Sequence, residues 1–376
     1  MIIKNAKIVL KDRIIENGCI KIVDEKIDCI CDNICDCSCE EVLDARGNII
    51  MPGFIDIHIH GSGNIDFMDA SPADYLAISK TLYKEGVTTY LATTLTSDTE
   101  SLLKVASAVK EAVKTNPSLG GIHLEGPYIS AKHKGAQNEA FIRDASINEL
   151  EMLQETSGGN IRYISLAPEK EGALDFIKKA KELGVVSSAG HTDASFSDIE
   201  KAINAGLKNT THTHNAMSGH HHRNPGVVTA AMYFDELSCE LICDGIHVCP
   251  DTVKTFYKIV GDDRFIIITD ALKIKNSDVE TFQLFGLDCV RKNGAAYLTS
   301  GPLAGSLLTL DQGVRNIAAW VNPSLISLAK ISSTNAARAI GFKDRGEIKE
   351  GLLADLVMLS SDLKVLSVFK KGKKVV

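Results

Sequence analysis

Hydrophobic and polar positions alternate with a period of two through roughly the first fifty residues of this chain and again through the last thirty. IIKNAKIVL, CIKIVDEKIDCI and EEVLDARGNIIMP at one end, and GEIKEGLLADLVMLS and KVLSVFKKGKKVV at the other, read as half-buried strands joined by Gly- or Asn-containing turns. Their like character predicts that residues 1–51 and 345–376 pair into one small β-sandwich domain.

Between them the pattern changes. Short β-rich runs, FIDIHIH (54–60), VTTYLAT (87–93), GIHLE (121–125), RYISLAP (162–168), VVSSAGH (185–191), NTTHTHN (209–215), CELICD (239–244) and FIIITD (265–270), alternate with amphipathic helical stretches. PADYLAISKTLYKEG, LDFIKKAKELG and ASFSDIEKAINAG are three of these, each closing on the Gly expected just past a helix end. Eight β/α units across residues 52–344 predict an α/β fold of the TIM (β/α)8 type. A doubly wound open sheet gives the same alternation, so periodicity alone leaves both open. A barrel gathers its chemistry where strands end, and that gathering favours the barrel.

Composition narrows the class. With 376 residues, 44% of them hydrophobic, the chain can bury a large core. A formal net charge of −7 argues against nucleic acid or an anionic membrane as the main partner, while leaving room for a local basic pocket that takes an anionic metabolite. Lysines interrupt each apolar run of the opening MIIKNAKIVLKDRIIENG, and no stretch reaches the ~20 apolar residues of a membrane span. A cytoplasmic protein is expected, with its ten cysteines reduced.

The strand ends carry His58, His60, Glu125, His191, His212, Asp244 with His247 just beyond, and Asp270. Alternate residues of a strand share a face, so His58 and His60 point the same way, into the barrel with Asp56. A single strand histidine is ordinarily a hydrogen-bonded core residue. Several, each delivered to one rim by a different strand, point to a metal centre. Imidazoles mixed with carboxylates suit zinc, iron, cobalt or manganese, whereas an all-oxygen set suits magnesium or calcium.

PGFIDIHIHG, HLEGPYIS, SLAPE, AGHTDAS, THTHNAMS, RNPG, CDGIHV and ITDA, in this order, resemble the amidohydrolase superfamily and, within it, the N-acetylglucosamine-6-phosphate deacetylases, over essentially the whole chain. The HxH pair is moderately specific; HLEGP, AGHTDAS and HNAM together are highly specific. The resemblance implies that Glu125, His191 and His212 are the principal metal ligands and that His58 and His60 form a second site, with Glu125 bridging. Some members replace the HxH pair and use one metal, so the implied cofactor is one or two divalent ions per chain, zinc or iron. Asp270 matches the catalytic acid/base, and Ala136, Gln137, Asn215, Ala216, Arg223, His247, Leu303, Ala304 and Gly305 match substrate-binding positions. Asn215, Ala216, Arg223 and His247 fall on the phosphate side. In relatives the matching arginine reaches in from a neighbouring subunit, which implies a homodimer.

The implied reaction removes the acetyl group from a phosphorylated amino sugar, N-acetyl-D-glucosamine 6-phosphate, and the galactosamine epimer is the nearest alternative. A cyclic-amide hydrolase of the same superfamily is disfavoured, because strand four ends LAPEK and strand three supplies the carboxylate. A non-catalytic assembly protein on the same fold is disfavoured by the intact ligand set.

Some residues depart from the pattern or stand apart from it. Where some relatives place a histidine near the acetyl carbonyl, KHKGAQNEAF offers Ala136 and Gln137, and Gln137 brings a hydrogen-bond donor without positive charge. His220, His221 and His222 read as a solvated loop, and His123 and His214 as structural supports. CICDNICDCSCE, with five thiols from Cys29 to Cys39, lacks the paired C-x2-C spacing of zinc or iron–sulfur sites and reads instead as small apolar residues in a strand and turn.

Overall fold

Strands that are buried on both faces need helices on one side and packed side chains on the other, and the eight apolar runs meet that need by pairing in parallel. In the structure, a computed structural model that describes residues 1–32, 41–284 and 286–376, they form one sheet in strict chain order. The strands are Phe54–Ile59, Val87–Thr93, Leu119–Glu125, Ile161–Leu166, Val186–Ala189, Asn209–Thr210, Ser238–Ile242 and Phe265–Ile268. Each is followed by a helix, from Asp74–Tyr83 after the first to Leu310–Val321 after the last.

The eighth strand returns to the first. Asp270 donates its N–H to the His58 carbonyl at 2.8 Å, and His60 donates to the Ala271 carbonyl at 2.9 Å. The sheet is thus a nearly closed barrel, which sets aside the doubly wound alternative.

The helix Phe196–Ala205 illustrates how the sequence fixes these units. Ser195 accepts from the Asp198 N–H while Asp198 accepts from the Ser195 N–H, a reciprocal cap that satisfies two otherwise unpaired groups. Ile199, Ala202 and Ala205, at three- and four-residue spacing, face the core. Gly206 ends the helix at φ 127°, a conformation that strains any side-chain-bearing residue.

Both ends of the chain enter a second eight-stranded sheet, in which Ile2–Val9 lies between Ile14–Val23 and Ile49–Pro52, and Ile49–Pro52 pairs with Leu356–Leu359. Ile3, Ile8, Ile20, Ile50, Leu356 and Phe369 fill its own core. A bridge between Lys26 and Leu353 brings the far edge back, so the sheet curls over that core. Its last shared strand, Ile49–Pro52, ends two residues before the first barrel strand. At Gly86 a Cβ would lie 2.8 Å from Phe54 and 3.1 Å from Val357, so only glycine allows barrel and sheet to meet so closely. No helix among the described residues is long and apolar enough to cross a membrane.

Two features depart from the expected pattern. The fifth, sixth and eighth strands stop at Ala189, Thr210 and Ile268, before the histidines and aspartate predicted to close them. His191, His212 and Asp270 take φ of 48°, 31° and 48°, which breaks the ladder and turns each side chain across the barrel mouth. An antiparallel meander, Thr281–Leu284, Leu287–Lys292, Ala295–Leu298 and Leu303–Ser306, is inserted before the eighth helix.

Beside the insertion, Lys275 Nζ lies 2.9 Å from Glu85 Oε2, both side chains almost fully buried. Glu85 also accepts from Asn276 Nδ2 at 2.6 Å and from the Leu310 N–H at 3.2 Å. Glu85→Ala leaves a buried ammonium without its partner, and the expected loss is about 3–5 kcal/mol, read as a lower urea midpoint than the wild-type chain.

Candidate metal centre and active-site cavity

Glu125, the last residue of the third strand, stands at the centre of the barrel mouth. Its Oε1 lies 3.1 Å from His191 Nε2, 3.1 Å from His212 Nε2 and 3.2 Å from His58 Nε2. Its Oε2 lies 3.3 Å from His60 Nε2. His191 and His212 approach each other to 3.1 Å between their Nε2 atoms. Asp270 Oδ1 faces His60 Nε2 at 3.1 Å and His58 Nε2 at 3.5 Å.

Hydrogen bonding behind the rings indicates what these nitrogens are for. His191 Nδ1 faces the His133 carbonyl at 2.9 Å, which can only accept, so the ring donates there and a neutral ring turns a lone pair toward Glu125. His58 Nε2, though close to Glu125, makes no aligned hydrogen bond. Carboxylate oxygens and imidazole lone pairs that converge without a proton between them repel unless a cation lies among them. His58, His60 and Glu125 form one group with metal-ligand geometry, and Glu125, His191 and His212 form another. The donor set, histidine nitrogen with carboxylate oxygen, fits a divalent transition ion.

The electrostatics agree. Burial acts to raise the Glu125 carboxyl, but His58, His191 and His212 outweigh it and hold the group well below the usual carboxylate range. Asp270 is likewise lowered, burial being overcome by His58 and His60. His60 rises to about 9, because Asp270 and Glu125 outweigh the burial that would lower it. Two ionised carboxylates in a protein interior demand positive charge, supplied either by imidazole protons or by a bound cation.

Above this cluster opens a cavity of about 310 Å³. Ala136, Gln137, Asn215, Ala216, His247, Leu303, Ala304 and Gly305 line it, with His60, Glu125, His191, His212 and Asp270 at its floor. His247 Nδ1 lies 2.6 Å from Asp244 Oδ2; burial would lower the imidazole, but Asp244 outweighs it and raises the group. The Asn215 side-chain amide nitrogen is buried without a protein partner. The cavity thus offers a carboxylate-backed imidazole and a spare amide donor beside the cluster.

Arg223 is not brought to this cavity. It lies exposed on the loop with His220, His221 and His222, its Nη1 2.7 Å from His222 Nε2, and lines a separate depression beside Asp193 and Phe196. The three loop histidines stay outside the cavity too. Asp56 accepts from the Thr269 hydroxyl at 2.6 Å, and burial raises it to about 6. His214 packs edge-on against Phe256, and burial lowers it to about 4. Of the five cysteines from Cys29 to Cys39, Cys29 and Cys31 lie on the strand Lys26–Asp32, and Cys35, Cys37 and Cys39 fall outside the described residues.

Residues 49–375 match the Amidohydrolase family. The chain belongs to the amidohydrolase family. Among relatives of this amidohydrolase, the N-acetylglucosamine-6-phosphate deacetylase of Bacillus subtilis (strain 168) is 36% identical over 380 residues, covering 99% of this chain and 96% of the relative. The N-acetylgalactosamine-6-phosphate deacetylase of Escherichia coli O157:H7 is 32% identical over 331 residues, covering 86% and 87% of the two chains. An aspartate-to-alanine variant of the Mycobacterium smegmatis N-acetyl-D-glucosamine-6-phosphate deacetylase, solved in complex with N-acetyl-D-glucosamine 6-phosphate, superposes with a TM-score of 0.94 at 29% identity, over 100% of this chain and 99% of that one.

Two partners of the amidohydrolase cluster escaped the sequence reading. Glu240 Oε2 lies 3.1 Å from His58 Nδ1, beneath the site. Thr96 donates its N–H to Gln137 Oε1 at 2.7 Å, which turns the Gln137 amide so that Nε2 donates to Glu125 Oε2 at 2.6 Å. The signal for Glu240 was one carboxylate inside the apolar run CELICD.

Equilibration with Zn²⁺ followed by desalting is expected to leave stoichiometric metal on the wild-type chain, measured by inductively coupled plasma mass spectrometry. Glu125→Gln, which removes the shared ligand, is expected to weaken retention by about tenfold or more. Chelation from 100 times Kd is expected to cost the fold about 2.7 kcal/mol, seen as a lower melting temperature.

Proposed function

We propose that this chain hydrolyses the N-acetyl group of N-acetyl-D-glucosamine 6-phosphate, giving D-glucosamine 6-phosphate and acetate. The observation that carries the reading is one cavity that brings together a histidine–carboxylate cluster able to hold a metal, an aspartate held below its usual pKa at its floor and a carboxylate-backed imidazole. The Bacillus and Mycobacterium relatives support the choice of substrate.

An amide resists hydrolysis because water is a weak nucleophile and an amine a poor leaving group. Glu125, His191 and His212 would hold a zinc or iron ion, with His58 and His60 offering a second position. Such an ion supplies Lewis acidity and lowers the pKa of nearby water.

Asp270, kept ionised by its neighbours, takes the proton at Oδ as the carbon–oxygen bond forms, and returns it to nitrogen as the carbon–nitrogen bond breaks. His247, raised by Asp244, and the Asn215 amide take the phosphate end. Ala136, Ala216, Leu303, Ala304 and Gly305 shape the space between. Gln137 holds Glu125 with one amide hydrogen and keeps the other for the acetyl oxygen.

Arg223, exposed and forked, reaches the phosphate in the cavity of a neighbouring subunit, so the working form is a homodimer. The enzyme acts in the cytoplasm on a small phosphorylated sugar.

Acetate release is expected to be fastest with N-acetylglucosamine 6-phosphate and far slower with the unphosphorylated sugar; equal rates would remove the roles given to His247 and Arg223. Faster turnover of the galactosamine epimer would move the assignment to that substrate. Asp270→Asn is expected to lower kcat by about 10²–10⁴-fold. Mixing inactive Arg223→Ala and Asp270→Asn chains is expected to restore activity, because a hybrid dimer contains one site with both residues intact; continued inactivity would rule out the shared site.

A further inference from the structure

Glu240 lies in the middle of the seventh strand, Ser238–Ile242, fully buried, with Leu241 and Ile242 beside it in the core. A carboxylate in a barrel interior is costly unless it is hydrogen-bonded or paired with charge. Glu240 Oε2 accepts from His58 Nδ1 at 3.1 Å and from the His212 N–H at 3.3 Å.

We infer that Glu240 is a positioning residue for His58, and through it for the second metal position of the centre. The inference rests on the metal-centre reading above and goes beyond it in what it assigns to this carboxylate.

The four histidines of the cluster differ behind their metal-facing edges. His191 is backed by a main-chain carbonyl, while His60 Nδ1 and His212 Nδ1 have no hydrogen-bond partner. Among these four, only His58 has a carboxylate behind it. Its ring otherwise meets His123 edge-on at 4.6 Å and His60 at 5.4 Å, contacts that do not tell one ring nitrogen from the other.

Glu240 does. By accepting at Nδ1 it directs Nε2 toward Glu125 Oε1 at 3.2 Å and Asp270 Oδ1 at 3.5 Å, the space a second ion would fill. A carboxylate on the far nitrogen also makes an imidazole a stronger ligand.

The test uses the full chain, stripped by chelator and titrated with Zn²⁺ against a chromophoric competitor. Thermal unfolding of the metal-free protein serves as the folding control. Wild type is expected to take two ions. Glu240→Gln is expected to weaken the second by about 10–100-fold and the first, whose ligand His212 it meets only through the main-chain N–H, by less. In a His58→Asn background, Glu240→Gln is expected to cause no further loss, which a merely structural role would not give.

Should Glu240→Gln fail to fold, Glu240→Asp keeps the charge, shortens the reach and is expected to weaken the same ion. The inference is overturned if the variant holds the second ion as wild type does, if both ions weaken equally, if the double variant loses more, or if wild type takes only one. A wild type that takes none would remove the metal-centre reading itself.

Discussion

One carboxylate, Glu125, stands among four imidazoles, and the geometry of the barrel mouth is organised around its charge. Oε1 faces His58, His191 and His212, and Oε2 faces His60 and the Gln137 amide. Such a group is tolerable in a low-dielectric interior only if positive charge lies within a few ångströms. The eight strands satisfy this by bringing residues far apart in sequence to a single rim. Asp270 joins from the eighth strand's end, so closure of the barrel and completion of the charge cluster are the same event.

Aiming these groups inward strains the backbone. His191, His212 and Asp270 all adopt positive φ, which costs a non-glycine residue of order 1–3 kcal/mol each. The surrounding hydrogen bonds hold them there. The Asp270 N–H is tied to His58, its carbonyl accepts from the Ser306 N–H at 2.9 Å, and Glu240 accepts from the His212 N–H. The rigid ladder positions the strand ends, and left-handed residues beyond the fifth, sixth and eighth re-aim the side chains of His191, His212 and Asp270.

Much of this was legible in the chain itself. The eight β/α units followed from the alternation of β and α runs, and both the barrel and the cluster from polar residues recurring where apolar runs stopped. Where strands gave out was not legible, because a left-handed histidine leaves no trace in hydrophobic periodicity. The meander was missed although Asn293-Gly294 is a strong hairpin-turn signal, with φ of 50° and 82° in the structure, because of the two strands that turn joins, Leu287–Lys292 mixes charged and apolar residues without clean alternation and Ala295–Leu298 is only four residues long. Glu240 was hidden for the opposite reason: its neighbours are so apolar that the run reads as core. Thr96 acts through its main chain, which no side-chain pattern announces.

The sheet shared by the two chain ends bears on how the polypeptide is made. Ile49–Pro52 needs Leu356–Leu359 as its partner, and Lys26 needs Leu353. The strands synthesised first therefore wait for residues some three hundred positions later before their edges are covered. A nascent chain would carry open β edges through most of translation, the condition under which protection by a chaperone matters most.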